Sequence, residues 1–131
     1  MLSIRNVSPR LPVRDIRRTT EFYRDMLDFE VGGTWPQDAP IFVILERGPV
    51  RLQFFRPDPP PHENASSPEV VLHFEVDNVL AFHASLAPHV HVEWGPEVYW
   101  YGCREFAFRD PDGYMVILSE PTDDPPTCLD E

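Results

Sequence analysis

The chain has 131 residues and 42% hydrophobic content, enough to bury roughly two-thirds of its unfolded surface in one core. Arg supplies all 11 basic residues against 22 acids, a formal charge of −11, and this balance sets aside a nucleic-acid partner, because phosphate attraction needs a positive surface. No run approaches the ~20 apolar residues of a membrane span, and the opening residues lack the basic and apolar segments of a secretory signal, so a soluble, cytoplasmic protein without membrane contact is expected.

Ser8 to Val13, broken by Pro9 and Pro12, reads as a strand near a sheet edge. Asp15 is a good helix N-cap. Behind it Ile16, Thr19, Thr20, Tyr23, Met26 and Leu27 recur at the three- and four-residue spacing of one helical face, which Phe22 widens. Phe29 to Val31 begins a strand that Gly32-Gly33 ends. Ile41 to Leu45 and Val50 to Phe55 are strands joined by the turn cluster from Glu46 to Pro49. This is a first βαβββ module, residues 1–56, followed by a proline-rich linker, residues 57–68.

Val70 to Val76 is the next strand, and Asp77 or Asn78 caps a short helix that carries Val79, Leu80, Phe82, His83 and Leu86 and stops at Pro88. His89 to Trp94, Arg104 to Arg109 and Tyr114 to Ser119 follow as strands, the last two joined by the hairpin turn Asp110 to Gly113. Residues 69–120 thus form a second βαβββ module, and residues 121–131 an acidic, proline-rich tail expected to be solvated. Val13 precedes a capped helix as Val76 does, so the halves share a register. Neither half buries its sheet face alone. The expected fold is a single α+β domain over residues 1–131, two βαβββ modules pairing into a curved, mixed sheet with a concave cleft.

The charge is uneven: the first half is neutral overall, and the acidity belongs to the second. Cys103 and Cys128 have neither metal-finger nor redox spacing. Asp110 and Asp112 flank Pro111 in a tight turn and read as turn residues rather than acid/base catalysts. No Gly-x-Ser-x-Gly context and no Gly-rich loop opening a helix is present, so triad hydrolysis and nucleotide binding find no support.

Three segments carry a family resemblance: Leu11 to Ile16 running into Glu21 to Phe29, Phe74 to Asn78, and Tyr101 to Tyr114. With them the chain resembles the vicinal oxygen chelate superfamily of glyoxalases, extradiol dioxygenases and bleomycin-resistance proteins. The resemblance implies paired βαβββ modules and a homodimer. It also implies a divalent metal held at four strand positions, which fall here on Ser8, Gln53, Val71 and Ile117. Only Gln53 offers a ligand, and one oxygen ligand does not hold a divalent ion. The closest pattern is that of the metal-free bleomycin-resistance members. An alternative metal set, reached by a register slip, is Gln53, His73 and Glu75.

Trp94, Tyr99, Trp100 and Tyr101 crowd a predicted loop before the signature strand. They read either as a dimer interface or a satellite core, or as a wall for a flat or apolar ligand, with Trp35 and Phe55 opposite. The candidate ligand-binding residues are therefore Trp35, Gln53, Phe55, His73, Glu75, Trp94, Trp100, Tyr101 and Ile117, with Glu75 or Glu93 countering charge. The expected function is a non-catalytic, cofactor-free protein that sequesters an aromatic, cationic molecule in a dimeric groove, in the manner of antibiotic resistance. The alternatives are a metal-dependent lyase, isomerase or dioxygenase, and metal-free acid/base chemistry by Glu75 or His73.

Overall fold

The computed structural model describes residues 2–61 and 70–128. It divides into two compact units, Met1–Ser66 and Ser67–Glu131. The first contains β1 (Arg10–Pro12), α1 (Ile16–Leu27), β2 (Glu30–Trp35), β3 (Phe42–Arg47) and β4 (Val50–Phe55). The second contains β5 (Val71–Glu75), α2 (Val79–Leu86), β6 (Val92–Tyr99), β7 (Cys103–Arg109) and β8 (Met115–Pro121). Strand pairing gives two four-stranded sheets of matching order, β1-β4-β3-β2 and β5-β8-β7-β6. In each the first strand runs parallel to the last and the other pairs are antiparallel. The repeat expected from the sequence is thus present as two α+β modules of one topology. Most of the proline-rich linker, from His62 on, lies outside the described residues, as does Glu69 at the start of the second module.

Side-chain period and capping explain each helix. The Asp15 carboxylate accepts the Arg18 N–H at 3.1 Å and starts α1, whose Ile16, Thr19, Tyr23 and Leu27 are buried. Tyr23 stacks on Phe54 with centroids 5.2 Å apart and meets Phe29 edge-on at 5.9 Å. Asn78, not Asp77, caps α2, accepting the Ala81 N–H at 3.0 Å. The Val79 N–H, a further unsatisfied donor of that first turn, goes to Glu120 Oε1 at 2.9 Å. Val79 and Leu86 are buried on the helix side of the second sheet with Leu72, Phe106, Phe108, Val116 and Leu118, and His83 meets Phe106 edge-on at 5.1 Å.

Two strands run through residues expected to end them. β2 continues past Gly32-Gly33 to Trp35, because a register shift between Val31 and Gly33 absorbs the irregularity. β6 starts at Val92 rather than His89 and continues to Tyr99, with one register shift between Val92 and Trp94 and a second that spans Gly95-Pro96. The predicted aromatic loop is therefore mostly strand. Gly95 makes this passage possible: its φ is +82°, and a Cβ there would collide with the Glu105 carbonyl and Phe106. The tail expected to be solvated is pinned near its described end. The Thr127 N–H donates to the Val98 carbonyl at 2.8 Å, and Thr127 Oγ1 accepts the Val98 N–H at 2.7 Å. Among the described residues no helix is long and apolar enough to cross a membrane.

Candidate functional site

Alternation gives each sheet one face under its helix and one open face. In the first unit Val43, Leu45, Leu52 and Phe54 are buried, whereas Ile44, Gln53 and Phe55 are half-buried on the other side. Phe55 lies opposite Phe42, and Phe42 opposite Trp35, so the register lines up three aromatic residues across β4, β3 and β2. The Arg10 guanidinium sits 4.8 Å from the Phe42 ring centroid, and its Nε donates to Gln53 Oε1 at 2.8 Å. Trp35, Gln53 and Phe55, predicted as ligand contacts, do share a face. Trp35 is 64% exposed there.

The open face of the second unit is richer in chemistry. Parallel pairing puts His73 beside Ile117 and Glu75 beside Ser119, and antiparallel pairing continues the rows to Ala107 and Glu105 on β7, then to Trp94 and Glu97 on β6. The predicted residues His73, Glu75, Trp94 and Ile117 therefore share this face. Tyr101, in the β6–β7 turn, folds onto it. Its ring lies parallel to Tyr99 at 5.8 Å; Trp94 meets Tyr99 edge-on at 5.7 Å, and Trp100 meets Tyr101 edge-on at 5.4 Å. Trp100 is 67% exposed at the turn.

At the base of these rings is a residue the sequence reading passed over. Glu105 is 3% exposed, and its two carboxylate oxygens are used separately: the Tyr101 hydroxyl donates to Oε1 at 2.5 Å, and His73 Nε2 lies 3.1 Å from Oε2. A carboxylate only accepts, so Nε2 carries the proton in this contact. Burial first, then the Glu105 hydrogen bond and charge, raise the Tyr101 pKa well above the ordinary phenol value. Tyr99 is raised too, by burial first and then by negative charge at Cys128, Glu97 and Glu105. Both rings stay neutral hydroxyl donors at any physiological pH. The signal for Glu105 was its position: the one acid in the apolar run from Glu105 to Phe108, in phase with residues of the open face. Glu93, a predicted countercharge, instead lies 3.8 Å from both Arg109 Nε and His91 Nε2.

The positions where a metal was implied hold Ser8, Gln53, Val71 and Ile117. Val71 and Ile117 carry no donor atom, and the Gln53 amide oxygen already accepts a guanidinium. In the alternative set, the imidazole of His73 points a nitrogen at Glu105 rather than at Glu75. Among the described residues no three His, Cys, Asp or Glu side chains gather in a metal-binding group. Within each unit these positions bring fewer than three donor side chains together.

The family model described as Glyoxalase/Bleomycin resistance protein/Dioxygenase superfamily matches residues 5–118. No curated protein matches the chain. A protein of unknown function from Agrobacterium tumefaciens is 29% identical, with a TM-score of 0.74 over 92% of this chain and 96% of that one. The bleomycin resistance determinant encoded on transposon Tn5 is 22% identical, with a TM-score of 0.70 over 90% of this chain and 98% of that one. The bleomycin-binding protein of Streptomyces verticillus, solved with copper(II)-bleomycin, is 24% identical, with a TM-score of 0.67 over 95% of this chain and all (100%) of that one.

Proposed function

The chain belongs to the glyoxalase/bleomycin resistance protein/dioxygenase superfamily, and on that premise we propose that it is a metal-independent binding protein for an aromatic, cationic small molecule, working as a homodimer. The observation that carries this reading is the buried Glu105 carboxylate framed by Tyr99, Tyr101, Trp94 and Trp100. Flat rings supply stacking area at little entropic cost, and neutral phenols present negative π-faces to a cation. Glu105 adds a fixed negative charge beneath them, held in place by the Tyr101 hydroxyl and His73. Two neighbours named for bleomycin resistance or binding support a drug of that type as the first ligand to try.

The donor set argues against a metal enzyme, as does the Arg10 guanidinium on Gln53, which would repel a divalent ion. Calorimetric titration of chelator-treated protein with nickel, zinc, manganese and ferrous ions tests this part. The expected result is no stoichiometric binding at micromolar strength. One-to-one uptake that Gln53→Ala and His73→Ala each abolish overturns it in favour of a metal-dependent enzyme.

A further inference from the structure

A cleft of about 720 Å³ opens in the first unit between the start of α1, the segment before β3 and the end of β4. Its size falls within the range of small-molecule sites. Four arginines line it, Arg14, Arg17, Arg24 and Arg56, against two acids, Asp15 and Glu21. Asp15 accepts the Arg18 N–H at the helix cap, Glu21 pairs with Arg17 at 3.0 Å, and Arg24 pairs with Asp25 at 3.2 Å. The lining carries a net positive charge in a chain of charge −11.

The placement runs against local helix physics. The N-terminus of α1 carries the positive end of the helix dipole, where acids are favoured and bases disfavoured. Yet its first turn holds no acid, Arg17 lies there, and Arg14 immediately precedes the cap. Arg56 is brought to the same wall by its Nε, which donates to the Arg14 carbonyl at 3.1 Å. Guanidiniums match oxyanions with paired, directional hydrogen bonds. Ile16, Pro40 and Ile41 give the cleft apolar walls beside this charge.

We propose that this cleft binds a small organic oxyanion, its carboxylate or phosphoryl group among the arginines and its apolar part against Ile16 and Ile41. All of its lining residues belong to the first unit.

The test is calorimetric titration of the full chain at low salt with phthalate, phenyl phosphate and inorganic phosphate. At least one of the organic anions saturates at one per chain and binds more tightly than inorganic phosphate. Which of them does so tells carboxylate from phosphoryl recognition. Arg17→Gln combined with Arg24→Gln, both exposed on the helix surface, weakens binding roughly tenfold or more. Arg51→Gln, which removes one positive charge from β4 where Arg51 pairs with Glu46, leaves it unchanged. Amide shift mapping of the unaltered protein places the response at Thr34, Ile41 and Arg56. Absence of saturable binding, an unaffected double variant, or an equal loss in Arg51→Gln overturns the proposal.

Discussion

Glu105→Gln separates charge from shape at the aromatic face. The amide keeps the length of the side chain: its oxygen accepts the Tyr101 hydroxyl, and its NH₂ donates to His73 Nε2 in the other tautomer, so both contacts of Glu105 have successors. The fold should survive at a cost of about 1 kcal/mol, the margin between charged and neutral hydrogen bonds. A ligand cation stacked on Tyr101 and ~6 Å from the carboxylate gains roughly 3 kcal/mol at an effective dielectric near 20. The Tyr101 ring is 48% exposed, so solvent and salt reduce this to about 1–2 kcal/mol. The expected loss of affinity is then about five- to thirtyfold. Fluorescence titration with N-methylacridinium and with neutral acridine at pH 8 reads it directly: the cation should lose affinity and the neutral ring should keep it. An equal loss for both, or none for either, refutes the role assigned to Glu105.

Trp100→Ala should weaken the same cation by on the order of 1–3 kcal/mol, as expected for losing one stacking wall, and leave the dimer intact by sedimentation; loss of the dimer instead would make the turn an interface. Stability should fall as the pH rises above about 10. Tyr114 is pushed up to about 12 by burial first and by Asp112 and Asp110, and Tyr101 is raised also, so the unfolded chain releases protons that the native state retains. Denaturant midpoints measured from pH 8 to the alkaline limit check the sign, which a flat profile would contradict. Asp110→Ala removes the acceptor of the Asp112 and Tyr114 N–H groups, at 2.9 and 3.0 Å, and should cost about 2–4 kcal/mol in chemical unfolding. Gly95→Ala should cost about 2–5 kcal/mol, combining a strained positive φ with a collision against β7.

The local elements were legible where short-range rules decide them. The period of α1, the Asp15 cap, the turn from Asp110 to Gly113 and the repeat of the two modules all follow from residues close in sequence. Two strands were cut short because Gly32-Gly33 and Gly95-Pro96 read as breakers. Whether a glycine ends a strand or bulges it depends on the partner strand, and β3 and β7 supply partners on both sides of the irregularity. The candidate residues that lie on strands fall on the open faces of their sheets, since alternation is a local property. Glu105 was missed because its importance lies in Tyr101 folding back over it, and the arginine cleft because its four arginines come to line one cleft only once α1, β4 and the segment before β3 are packed.

The most direct test of the account is titration of chelator-treated protein with metal-free bleomycin, the chelator kept in excess and tryptophan fluorescence followed. Saturable binding that needs no added ion and weakens in Glu105→Gln is the expected result. Binding of N-methylacridinium, which has no metal-chelating group, that fails in chelator and returns on adding nickel or zinc contradicts it.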